Sequence, residues 1–71
     1  MADLERLKAV IADRGMKKIV IAKRAGMTRY TLDRRLAGFG DFRASEIVGL
    51  SKALKLSRAE RDEIFLQQNV N

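Results

Sequence analysis

The stretch AKRAGMTRYTLDRRLAG, residues 22–38, decides how the chain is read. Two short helix-forming runs meet in it at Ala25-Gly26-Met27-Thr28. Gly26 interrupts the first run, because glycine adopts positive φ without the penalty a β-carbon brings and therefore ends helices. Thr28 restarts the second run, its hydroxyl placed to accept an amide of the first helical turn. About three residues join the two helices, and so short a turn makes their axes cross steeply. Ala22, four residues before Gly26, is small enough to let the second helix pack close. Met27 is apolar and plugs the angle between the helices, and Leu32 faces inward from the second.

Helix geometry sorts the second run, predicted over 29–37. At about 100° per residue, Leu32 and Leu36 mark its buried side. Tyr30 and Arg34 lie nearly opposite, with Asp33 and Ala37 on the same outer half and Arg29, Thr31 and Arg35 on the flanks. A face of tyrosine, arginine and a small alanine suits the DNA major groove, which just admits an α-helix. In that reading Arg34 takes a guanine edge with two N–H groups. Tyr30 packs on a thymine methyl or hydrogen-bonds a base or phosphate. Asp33 orients Arg29 or accepts from a cytosine amino group. Plainer alternatives stand beside each: a solvated Arg34, a Tyr30 folded over Met27, and an Arg29–Asp33 surface pair worth about 0.2–0.5 kcal/mol.

The charge balance points the same way. The 71-residue chain carries 15 Lys and Arg against 9 Asp and Glu. Between Arg14 and Arg43 nine basic residues meet only Asp33 and Asp41, while the remainder holds six basic and seven acidic groups. The whole net charge of +6 thus sits in the middle of the chain. A block of one sign attracts an opposite polyelectrolyte. Lys17, Lys18, Thr31, Arg35 and Arg43 are phosphate candidates, which position a protein on the duplex without reading sequence. Lys23 and Arg24 read as plain surface charges.

The rest of the chain has no repeat, no linker and no low-complexity segment. With 71 residues it forms one domain, 1–71, with a thin core. Leu4, Leu7 and Ile11 form one stripe of a helix over 3–14, which Gly15 closes. Residues 18–25 hold the β-branched run Ile19-Val20-Ile21, which favours a strand locally but has no partner strand, so helix is expected. Ile47, Leu50 and Leu54 recur at helical spacing in 44–55. Ser57 and Glu60 make a capping box for 58–68. Gly38-Phe39-Gly40-Asp41-Phe42 reads as a loop with two aromatic anchors. The fold class is all-α, five short helices around one core formed by Leu4, Leu7, Ile11, Ile19, Ile47, Leu50 and Leu54. Gly49 sits within the fourth helix, where glycine costs roughly 1 kcal/mol relative to alanine. A close helix approach or tolerated drift each explains it.

The motif resembles the helix-turn-helix of the phage repressor and Cro family: Ala22, Gly26, Met27, Thr28 and Leu32 match its pattern. The segment RRLAGFGDFRASEIVGLSKALKLS, residues 34–57, is similar to the same region of small Cro-like and lambda-repressor-like regulators, where a Leu-x-Gly closes the recognition helix and an Asp-Phe pair precedes the fourth. The likeness covers roughly residues 4–66. It implies a DNA-binding domain with the helix-turn-helix at helices 2 and 3, and base contacts from the early and middle recognition helix: Thr28, Arg29, Tyr30, Asp33 and Arg34. There are departures. Lys17 and Lys18 stand where Ser or Thr and then Gln are usual, so a cap is lost, although Lys18 serves as a point charge toward phosphate. Arg43 stands where a Thr or Ser cap is common, which leaves Glu46 without a reciprocal cap partner unless Ser45 serves.

These features favour a sequence-specific regulator of transcription, a repressor acting as a homodimer on a palindromic operator in double-stranded DNA. Ile64-Phe65-Leu66 covers more than one face of a short helix, which makes it the candidate dimer surface. An antitoxin- or antirepressor-like protein that uses the domain to hold another protein is the alternative. No catalytic residue, metal site, cofactor or small-molecule ligand is expected, since there is no His, no Cys and no glycine loop for phosphate. No apolar run is long enough for a membrane, and MADLERLKAV lacks the features of a signal peptide. The expected location is the cytoplasm of a bacterial or phage-infected cell.

Overall fold

A computed structural model describes residues 1–66 as five α-helices. They are α1 (Leu4–Arg14), α2 (Lys18–Arg24), α3 (Arg29–Leu36), α4 (Ala44–Ala53) and α5 (Arg58–Phe65), with no strand among the described residues. The caps follow from the sequence. Asp3 accepts the Arg6 amide at 3.0 Å, Thr28 the Thr31 amide at 3.0 Å and Ser57 the Glu60 amide at 3.0 Å. Helix starts without such a residue are weaker: Lys17 gives α2 no side-chain cap. Three helices end slightly earlier than their periodicity suggests, because Ala25, Ala37 and Leu54 are C-caps rather than helix interior. The last two residues of the predicted 58–68 helix lie outside the described residues.

Each helix sends at least one apolar side chain to a common core. Leu7, Ile21, Leu32, Leu50 and Ile64 are fully buried, as is Leu54 at the end of α4. Phe42 packs edge-on against Phe65, with ring centroids 5.4 Å apart and planes at 78°. The N-terminus is tied in as well: Ala2 is buried, and the Asp3 amide donates to the Ile64 carbonyl at 2.7 Å.

Several expectations about burial need correction. Ile64 and Phe65 belong to the core, so they offer no free dimer surface, and of the three residues only Leu66 is exposed. The register of α5 explains this, since the helix turns Ile64 and Phe65 toward α1 and Phe42. Ile19 is 58% exposed rather than core, because α2 buries only Ile21 and Ala22. Phe39 is 59% exposed and does not anchor its loop, which Phe42 does alone. The start of α4 is capped on one side only, as its sequence implies: Glu46 accepts the Arg43 backbone amide at 2.8 Å, and the Arg43 side chain returns no cap bond.

Gly49 has a steric reason. α4 crosses the C-terminal end of α2 there, and a β-carbon on Gly49 would lie 2.5 Å from the Ala25 carbonyl oxygen and 2.8 Å from its Cα. No real β-carbon sits so close to backbone. The close approach of α2 and α4, and not tolerated drift, accounts for the glycine.

Candidate nucleic-acid interface

The turn between α2 and α3 is built by a hydrogen-bond pattern that only a left-handed residue completes. Gly26 has φ +76°, the Met27 amide donates back to the Ala22 carbonyl at 2.9 Å, and the Gly26 amide donates to Lys23 at 3.2 Å. This paired closure satisfies the last carbonyls of α2 and redirects the chain within two residues. Met27 is half-buried against the core, and Thr28 then starts α3. The Thr28 hydroxyl also donates to the Thr31 hydroxyl at 3.0 Å, so the two threonines form one polar unit at the head of α3.

Leu32 and Leu36 seat α3 in the core. The opposite face is open: Arg29, Tyr30, Asp33 and Arg34 are all exposed, Tyr30 at 69%. Arg29 Nε lies 3.1 Å from Asp33, the i,i+4 pair that the spacing allows. Tyr30 does not fold onto Met27. Its ring lies under the Arg34 guanidinium, with the guanidinium carbon 5.7 Å from the ring centroid. A second ring reaches the same group: Phe39 lies 5.0 Å from it. Nothing in its residue type singles out Phe39 for this contact. The available signal was its place between Gly38 and Gly40, both at positive φ, which carries the ring outward at the end of α3.

The phosphate candidates divide into two groups. Thr31, Arg35 and Arg43 line one open concavity beside the turn, together with Thr28, Lys23 and Glu46. Lys23 therefore stands closer to these groups than its sequence context suggested. Lys17 and Lys18 are exposed at the start of α2 and lie outside that concavity. Arg35 differs from the others. Its side chain is only 18% exposed and its Nε lies 3.3 Å from Glu46, which is 11% exposed. Its Nη1 also reaches the Phe39 carbonyl at 3.5 Å. Arg35 and Glu46 thus tie the end of α3 and its following loop to the start of α4.

Among the described residues no group of His, Cys, Asp or Glu is arranged to hold a metal ion, and no helix is long and apolar enough to cross a membrane. The chemistry present is cationic, hydroxylic and aromatic, displayed on and beside one short helix behind a tight turn. A family model for the Cro/C1-type HTH DNA-binding domain matches residues 6–60, which takes in most of α1, all of α2, α3 and α4, and the start of α5. No curated protein and no solved structure was found to match the chain. The turn geometry and the match over most of the sequence agree, and the chain belongs to the Cro/C1-type helix-turn-helix DNA-binding domains, a regulatory DNA-binding family.

Proposed function

We propose that the protein is a sequence-specific transcription repressor that inserts α3 into the major groove of double-stranded DNA and acts as a homodimer on a palindromic operator. The observation that carries this reading is the outward face of α3, where Tyr30 and Arg34 stand exposed on a helix fixed from behind by Leu32 and Leu36. Fixed geometry matters because base readout depends on side chains held at a defined depth in the groove. Arg34 reads guanine through paired N–H groups, and Tyr30, Asp33, Arg29 and Thr28 contribute the neighbouring base contacts. Lys17, Lys18, Thr31 and Arg43 contact phosphates and set the register. We assign Arg35 to holding α3 on α4 rather than to phosphate, on the strength of its pairing with the nearly buried Glu46.

One α3 of eight residues reaches few base pairs, which is the reason for a dimer. Of the apolar residues first considered for its interface, Leu66 remains, beside a shallow groove lined by Ile47, Arg61 and Asp62. The protein acts where bacterial or phage DNA is, in the cytoplasm. Selection of bound sites from random duplex DNA tests the proposal. It should return a two-fold symmetric consensus with a guanine in each half-site. Recovery of unenriched sequence would contradict specific binding and favour a domain that serves to hold another protein.

A further inference from the structure

Phe39 is an exposed aromatic residue to which the contacts above give no task. Two backbone contacts hold it to α3: its amide donates to the Arg34 carbonyl at 2.9 Å, and its carbonyl is reached by Arg35 Nη1. Gly38 at φ +93° and Gly40 at φ +87° flank it, so the chain turns sharply on both sides and leaves the ring outside the core. There the ring lies 5.0 Å from the Arg34 guanidinium carbon, closer than the Tyr30 ring at 5.7 Å.

The contact has a consequence for recognition. An arginine on a helix surface samples many rotamers, and ordering it on binding costs free energy. A guanidinium stacked on an aromatic ring is held through its face. Bidentate contact to guanine uses N–H groups at its edge, in the plane of the group. The two interactions therefore do not compete, and a ring that fixes the face leaves the edge free. We propose that Phe39 is a specificity-determining residue that positions Arg34: it holds the guanidinium ordered before DNA arrives, with its donor edge available to guanine. The inference rests on the reading of Arg34 as a base contact given above.

Three variants separate the possibilities: Phe39→Ala, Phe39→Leu, which keeps apolar bulk without a ring, and Phe39→Tyr, which keeps the ring. The first measurement is on the free protein, where the side-chain proton shifts of Arg34 should carry a ring-current displacement from Phe39. It should survive in Phe39→Tyr and shrink in the other two to what the Tyr30 ring alone produces, with the melting temperature little changed because the Phe39 ring lies outside the core. The second measurement compares the selected duplex with single-base-pair variants. Phe39→Ala and Phe39→Leu should lower the preference for guanine opposite Arg34 by roughly two- to fivefold, while Phe39→Tyr retains it. An unchanged preference in Phe39→Ala and Phe39→Leu would overturn the proposal. So would equal weakening on every duplex, which would make Phe39 a backbone contact. A wild-type protein that shows the ring-current displacement but no preference among duplexes would instead overturn the DNA reading, and the proposal with it.

Discussion

Lys55 ends α4 at φ +52°, the only positive-φ residue other than glycine in the described chain. The Lys55 amide donates to Lys52 at 3.2 Å and the Leu56 amide to Ser51 at 2.9 Å, the same paired closure that Gly26 and Met27 make at the end of α2. A side chain in this region costs about 1–2 kcal/mol, and glycine would recover that less about 0.5–1 kcal/mol of its own unfolded-chain entropy. Lys55→Gly should therefore raise stability by roughly 0.5–1 kcal/mol, read as a higher urea midpoint; an unchanged or lower midpoint would mean that the residue is not strained. Gly15, Gly26 and Gly38 announce their helix ends because glycine is the residue that such an end prefers. Lys55 performs the same task with nothing in its identity to say so, and α4 accordingly ends earlier than its apolar periodicity suggests. Phe39 and Phe42 are likewise indistinguishable as residue types, and only the backbone around them decides that one is outside and the other buried.

Among the helices, the tightest joint is between α2 and α4, where Gly49 lets them meet at Ala25. Gly49→Ala should destabilise the fold by about 1–3 kcal/mol, because the backbone clash outweighs the roughly 1 kcal/mol that alanine brings to a helix interior. Thermal unfolding measures it, and a stabilised variant would show that the helices are farther apart than described. A cluster of polar contacts reinforces the apolar α1–α5 joint. Arg14 donates to both Glu60 carboxylate oxygens at 3.0 and 3.1 Å, to Asp13 at 3.0 Å and to the Leu54 carbonyl at 2.9 Å. The Glu60 carboxyl is held below its ordinary range, first by the Ser57 amide that donates to it and then by Arg14, whose own pKa is raised mainly by the same bond. A carboxylate whose folded pKa is depressed contributes stability above the unfolded value and loses it as pH falls through the folded one. Stability should thus be flat near neutrality and decline below the ordinary carboxylate range, and Glu60→Gln should flatten that decline. An acid limb identical in the two proteins would remove Glu60 from this role. The Ser57–Glu60 capping box was legible because it is local, whereas Arg14 and Glu60 are 46 residues apart and no pattern along the chain joins them. Ile19 failed for a related reason: a three-residue β-branched run does not reveal which of its members a seven-residue helix will bury.

Over the whole molecule, folding redistributes the basic block that the sequence displays. Arg14, Arg29 and Arg35 are paired with Glu60, Asp33 and Glu46, and Lys17, Lys18, Lys23, Arg24, Arg34 and Arg43 have no carboxylate partner among the described residues. The net positive character of the middle segment was readable from counting; which cations remain available for phosphate was not, because two of the pairings cross between helices. The all-α architecture, the turn and the outward placement of Tyr30 and Arg34 followed from periodicity and one glycine, since a 3.6-residue repeat fixes faces once Leu32 and Leu36 are taken as buried. The contact of Arg34 with a ring beyond its own helix did not follow, being a property of how the next loop turns. Base reading by α3 is open to a direct test with Arg34→Ala. Its affinity should be measured against wild type at one fixed ionic strength, on the selected duplex and on a random duplex of equal length. The substitution leaves the Leu32 and Leu36 face intact, so folding should be little affected. Binding to the selected site should weaken by about 1–3 kcal/mol, with relaxed discrimination at one base pair per half-site and a much smaller loss on random DNA. Equal weakening on both duplexes would make Arg34 a backbone contact and contradict base reading by α3.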